Sequence, residues 1–191
     1  MARRNRNRTL RRPTTKAVRL YWSKYRATQK YVPGDRAVRA AFARFPKNQS
    51  EAHVRLKACV LNDVYSTNMV DTSAVARHIV GLRIDRRLHK HDLDLVNDMA
   101  DIPGARRAYS FASKYCALHQ PAAYPIYDSF VDRLLWAYQR QDKFSTFRRK
   151  DLKDYPSFVA VLDDFRAWYG LHGIGLRRLD KFLWLYGKEV L

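Results

Sequence analysis

Residues 101–133 read DIPGARRAYSFASKYCALHQPAAYPIYDSFVDR, a run that passes from turn to helix to an extended corner and into a second helix. Pro103 fixes one backbone angle, and Gly104 supplies the conformation that lets a helix start tightly. From Ala105 to His119 the apolar positions Ala108, Phe111, Ala112 and Tyr115 return at helical spacing. Pro121 and Pro125 then hold an extended stretch, and Asp128 stands at the entry to the next helix, whose inner face is Val131, Leu134, Leu135 and Tyr138. An acidic residue at that point can cap the helix by accepting its free N–H groups.

The same period governs the flanking sequence. Val18, Tyr21, Trp22 and Tyr25 form one stripe, and Val38, Ala41, Phe42 and Phe45 another after the break at Pro33, Gly34 and Asp35. Ser50 caps a third helix with Val54, Ala58, Leu61 and Tyr65 inward, and Thr72 or Ser73 opens a fourth with Val75, Ile79 and Leu82. A polar LHKHD segment leads to a short helix around Leu95 to Met99. Phe158, Val161, Leu162 and Phe165 mark a later helix; Leu176, Leu179, Leu183 and Tyr186 mark the last, with Gly187 expected to end it. No segment alternates apolar and polar residues long enough for a sheet. The expected fold is all-α, a single domain of eight to ten short helices over 15–191, preceded by a flexible basic arm at 1–14.

The 191 residues carry a formal net charge of +19, and that charge is unevenly spread. Residues 1–47 hold fifteen Lys or Arg against the single acid Asp35. Such asymmetry points to a polyanion, because Lys and Arg that neutralise phosphates release condensed counterions. Nucleic acid fits an arginine-rich globular chain better than an anionic membrane surface does. The chain has no apolar run near the roughly 18 residues of a membrane span, nor the apolar block of a secretory signal. A soluble, cytoplasmic monomer is expected. Two cysteines make no disulfide framework. Cys116 and His119 lie one helical turn apart without a second pair to complete a metal site, so no metal is expected. His89 and His91, set among Arg87 and Lys90, suit a phosphate-facing or solvated loop.

The order of IPG turn, amphipathic helix, proline-rich stretch and PIYDSFVDR resembles the helix-hairpin-helix DNA glycosylases. In that family an LPGVG hairpin is followed some two dozen residues later by a catalytic aspartate in a VDTHVxR-like segment. Asp128 stands at the matching position. The phrases SFASKYCALHQPAAYPIYDSFV and LRRLDKFLWLYGKE are also similar to a bacterial glycosylase-like group, some of whose members are associated with phage defence. The resemblance covers residues 102–133 and, loosely, the helix from Ser50 to Asn68. The second hairpin glycine is absent from IPGARR. A rival turn, Leu171-His172-Gly173-Ile174-Gly175-Leu176-Arg177, fits the hairpin pattern better but leaves no room downstream for a catalytic segment.

The resemblance implies an enzyme that flips a modified or damaged base and hydrolyses its N-glycosidic bond. Asp128 would stabilise the positive charge that develops on the sugar. Bifunctional relatives place a Schiff-base lysine at the position of Ala108 to Phe111; the nearest here is Lys114, about a turn later, so a monofunctional enzyme is expected. The flipped base needs stacking and edge hydrogen bonds, for which the candidates are Tyr127, Tyr65, Trp22, Tyr124 and the amide of Asn62. DNA phosphates would meet the turns at Gly104, Ala105, Arg106 and Arg107 and at Gly173, Gly175 and Arg177. No cofactor is expected beyond a monovalent cation at a hairpin. The rival readings are a non-catalytic DNA-binding module, with Asp128 only a cap, and a basic RNA-binding protein.

Overall fold

The computed structural model describes residues 9–191. Ten α-helices and a single turn of 3-10 helix account for the regular structure of the described residues, with no strand among them. They are α1 (Thr15–Ala27), α2 (Val32–Arg44), α3 (Glu51–Tyr65), α4 (Thr72–Gly81), α5 (Ile84–His89), α6 (Asp94–Ala100), α7 (Tyr109–His119), α8 (Ser129–Asp142), α9 (Tyr155–Trp168) and α10 (Leu176–Val190), with the 3-10 turn at Arg149–Lys153. None is long and apolar enough to cross a membrane.

The core is one continuous cluster, and α7 runs through its middle. Tyr109, Phe111, Ala112, Tyr115, Cys116 and Ala117 of α7 are all buried, so this helix is apolar nearly all round, as a fully enclosed helix must be. It packs on α6, α3 and α2, while α10 lies between α1 and α8. Oxygen side chains cap α1 through Thr14, α3 through Ser50, α4 through Asp71 and α9 through Asp154. Asp71 accepts from both Ser73 and Ala74 and so caps α4, whose first residue is the expected Thr72.

Four expectations change. A short helix, α5, precedes and ends within the polar LHKHD segment at His89, hidden from a periodicity argument by its length of six residues. Helix α7 begins at Tyr109 rather than Ala105, because Ala108 turns its N–H back to Ala100 O at 2.8 Å and closes the preceding loop. Gly187 does not end α10. It sits inside that helix, and a β-carbon there would stand 3.3 Å from the β-carbon and carbonyl oxygen of Phe130 on α8. The glycine is a contact point between helices.

The basic arm is also shorter than expected. Residues 10–12 are pinned to the body: Leu10 N–H donates to Gln141 Oε1 at 2.6 Å, Arg11 N–H to Tyr186 Oη at 2.8 Å, and Tyr138 Oη to Arg11 O at 2.7 Å. The Arg12 guanidinium lies 5.7 Å from the Tyr169 ring centre, and Pro13 is buried. The rest of the arm, residues 1–8, lies outside the described residues.

Candidate active site and nucleic-acid interface

A buried hydroxyl sets the geometry of the site. Ser113 of α7 accepts the Tyr127 N–H at 3.1 Å and lies 3.2 Å from Tyr127 O, which it reaches as a donor. This staples the proline-rich segment to α7. Tyr155 Oη holds Pro125 O at 2.7 Å, and Tyr124 Oη holds Asp92 O at 3.0 Å, fixing the same segment from its other side. The residues that follow Ser113 and Tyr127 in sequence, Lys114 and Asp128, are thereby brought into one electrostatic environment.

Asp128 caps α8, its Oδ1 accepting Phe130 N–H at 2.8 Å and Val131 N–H at 2.9 Å. Burial raises its carboxyl above the ordinary range, against the lowering pull of the Lys114 charge and of those two amides, while Asp180 raises it further. Lys114 is only 6% exposed and hydrogen-bonds Ser110 Oγ. Burial pulls the Lys114 amine down, Asp128 and Asp180 pull it up, and Lys181 pulls it down, leaving it below an ordinary lysine. Two aspartates and two lysines therefore share one buried field, with Asp180 and Lys181 paired at 2.9 Å.

A cleft of about 110 Å³ has Asp180 and Lys181 in its wall, but not Lys114 or Asp128; it is walled by α2, α3, α7, the proline-rich segment and the start of α10. Tyr65 and Tyr124 line it, and so does Arg177. Trp22 lies just outside, with the Arg177 and Arg178 guanidinium carbons 5.5 and 6.0 Å from its ring centre and Tyr25 stacked beneath it. The other two base-binding candidates point elsewhere. Tyr127 is packed 4.5 Å from Tyr109, with its hydroxyl donating to Asp132 at 2.7 Å. Asn62 has its amide committed to the loop after α3, donating to Met69 O and accepting from Thr67 Oγ1 and Met69 N–H. Both are structural.

The two turns differ in what they present. Residues 103–107 are wholly exposed, with Gly104 at φ +72° and Ile102 buried as the anchor. Arg106 is free of ion pairs among the described residues, whereas Arg107 is clamped by Asp101 at 2.8 Å, Asn97 at 2.9 Å and Lys153 O at 2.6 Å. Arg107 thus secures the hairpin rather than reaching for phosphate, while Gly104, Ala105 and Arg106 remain presented. The carbonyls of Ala100 and Ile102 are taken by Ala108 and Ala105. The second turn exposes Gly173 and Gly175, and Gly175 starts α10 without a side-chain cap. Arg177 there is held at 2.6 Å by Asp35.

Three features escaped sequence reasoning. Asp180 and Lys181 stand among the apolar positions of α10, and a charged pair adjoining a buried stripe was the signal available. Asp35, which accepts from Tyr65 Oη at 2.7 Å and pairs with Arg39 at 2.9 Å and Arg177 at 2.6 Å, looked like a turn residue. Lys57, fully buried, donates to Phe45 O, Lys47 O and Asn48 Oδ1 and lies 3.3 Å from His119 Nε2. Burial lowers its amine to about 8 and the His119 ring to about 3. Cys116 meets Met99 Sδ at 3.5 Å, away from that ring. Among the described residues no group of three or more His, Cys, Asp or Glu is arranged to hold a metal.

Residues 17–123, from α1 through α7 into the proline-rich segment, match the family model HI_0787_N, described as an N-terminal domain. The chain is similar to an uncharacterized protein of Haemophilus influenzae, 45% identical over 133 residues, a stretch covering 68% of this chain and 63% of that protein. No solved structure matches the chain. With more than half its length matched, from the basic first helix to the helix that carries Lys114, the chain belongs to the HI_0787_N family.

Proposed function

We propose that the chain is a DNA glycosylase that takes a modified or damaged base out of the helix and breaks its N-glycosidic bond at the Lys114–Asp128 site. One observation carries this reading: a buried lysine of lowered basicity shares its field with a buried carboxylate and with Asp180, which stands in the wall of an aromatic-lined cleft, in a protein of net charge +19. A lysine must be neutral to attack carbon, and burial favours that state. Because α7 begins four residues later than the spacing alone suggested, the position of Lys114 along it no longer argues against such an attack.

In this mechanism the Lys114 amine attacks the sugar C1′ as the base departs with the glycosidic electron pair. Asp128 stabilises the positive charge on the sugar and accepts the proton the amine sheds. Opening of the sugar ring leaves an imine, through which the strand can be cut by loss of the 3′ phosphate. DNA backbone would lie along Gly104, Ala105 and Arg106 and along Gly173 and Gly175. Asp128 is also a good helix cap, which favours a second reading as a non-catalytic DNA-binding module.

The test incubates the full chain with duplexes that each carry one modified base, adds borohydride, and looks for a covalent protein–DNA adduct. An adduct lost in Lys114→Ala supports the amine mechanism. Alkali-labile sites without an adduct leave a hydrolytic glycosylase using Asp128. DNA binding with neither product supports the binding module.

A further inference from the structure

We propose that the groove between α1 and α2 seats an unpaired strand of nucleic acid, with phosphates on Arg26 and Arg36 and a base against Trp22. This deepens the nucleic-acid side of the glycosylase reading and does not depend on its catalytic residues. The groove holds about 570 Å³ and is walled by Arg26 and Gln29 of α1 and by Pro33, Arg36, Ala37 and Ala40 of α2, a size within the range of ligand sites. Its wall contains two arginines and no acid. Both arginines are exposed, and neither has an ion pair or a side-chain hydrogen bond among the described residues. The acid closest to them in sequence, Asp35, is buried and filled by Tyr65, Arg39 and Arg177, so it does not neutralise them.

Two unneutralised guanidiniums across an acid-free groove fit a ligand that carries successive negative charges. The neighbouring aromatic says which polyanion. Trp22 stands one turn before Arg26 on α1, about 6 Å along the axis, and so on nearly the same face. It is partly exposed, with Tyr25 stacked on it and the Arg177 and Arg178 guanidinium carbons 5.5 and 6.0 Å from its ring centre. Arg178 is exposed and free of ion pairs among the described residues, whereas Arg177 belongs to the wall of the cleft. A path therefore runs from that cleft over Arg177 and Trp22 to Arg26 and the groove. Phosphates that alternate with planar rings match this order of cation, ring, cation, while a polyacidic peptide brings charge with nothing to stack. A duplex brings phosphates too, but its base faces are stacked on one another and cannot meet Trp22. The short side chains of Pro33, Ala37 and Ala40 leave room for the strand.

The test measures binding of the full chain to a short single-stranded DNA, the RNA of the same sequence, the matching duplex and poly-glutamate, each over a range of salt. At least one single strand should bind about tenfold or more tighter than poly-glutamate, and the tighter of the two names the sugar of the partner. Arg26→Ala and Arg36→Ala together should make the slope of log affinity against log salt shallower by about 1.4 on that strand, about 0.7 for each phosphate contact, and leave the duplex slope unaltered. Both arginines are exposed, so the melting temperature should hold. Trp22→Leu, checked for folding by its melting curve, should weaken the single strand about five- to a hundredfold while retaining the salt slope. Equal slope losses on strand and duplex, no loss on the strand, poly-glutamate bound as tightly as the strand, or parental strand affinity in folded Trp22→Leu would overturn the assignment. Single-strand binding through Arg26 and Arg36 by a chain that excises no base would sink the glycosylase reading alone. Excision with single-strand affinity indifferent to these substitutions would sink the groove alone.

Discussion

Asp128 caps α8, and in the proposed reaction it would carry a second duty toward the sugar. Its Oδ1 receives two backbone N–H bonds, which an amide oxygen can also receive, whereas only the carboxylate can stabilise a cationic sugar. Asp128→Asn should therefore melt within a few degrees of the parent while base excision falls by about a hundredfold or more; normal excision by the folded variant would remove Asp128 from the chemistry. His119 offers a pH signature of the fold. Burial first and the Lys57 charge second lower its ring from 6.5 to about 3. Its folded pKa lies below its unfolded one, so its contribution to stability is fully present above about 6.5 and is lost as the pH falls toward 3. A series of melting temperatures from pH 7 to pH 4 should fall less steeply in His119→Gln than in the parent. Parallel slopes would show that the ring does not sense the acid. The identity of Asp128 as a candidate was legible because a family pattern and a helix start coincide there. Lys57 and Asp180 were not, since a lone charge in an apolar stripe reads as a solvent-facing residue until the opposite helix is known.

Helices were the legible level of this chain, since periods near 3.6 survive wherever the helix has ten residues or more. Boundaries were less so. The start of α7 depends on the bond from Ala108 N–H to Ala100 O, a closure between residues eight apart that no propensity encodes. The reading of Gly187 as a terminator failed for a related reason: glycine marks helix ends, but it also marks places where another helix comes close. Here the neighbour is Phe130, immediately after Ser129 opens α8, and its N–H is held by Asp128. Gly187→Val should thus press on the very turn that positions the candidate carboxylate. The expected cost is about 1 to 3 kcal/mol in urea unfolding, with excision reduced even where the protein remains folded. A variant as stable as the parent would show that α8 and α10 separate freely.

At the scale of the whole molecule, the proposed DNA binding would rest on charge, and the bonds that pin residues 10–12 decide which truncation tests it cleanly. Residues 10–12 join α8, α9 and α10 through backbone bonds and the Arg12–Tyr169 pairing, so removing them would disturb the body as well as the charge. Removing residues 1–8 takes away Arg3, Arg4, Arg6 and Arg8 and leaves those bonds intact. If these arginines neutralise phosphate, the truncated chain should bind every duplex sequence more weakly by the same factor. Its slope of log affinity against log salt should become shallower by about 0.9 for each phosphate no longer neutralised. The melting temperature should hold, because the bonds of Leu10 and Arg11 to the body remain. A truncated chain with an unaltered salt slope would place DNA affinity in the body, along the exposed turns at Gly104 and Gly175 and the arginine pair over Trp22. A uniform loss at all sequences with excision per bound duplex unchanged would separate holding the DNA from cutting the base.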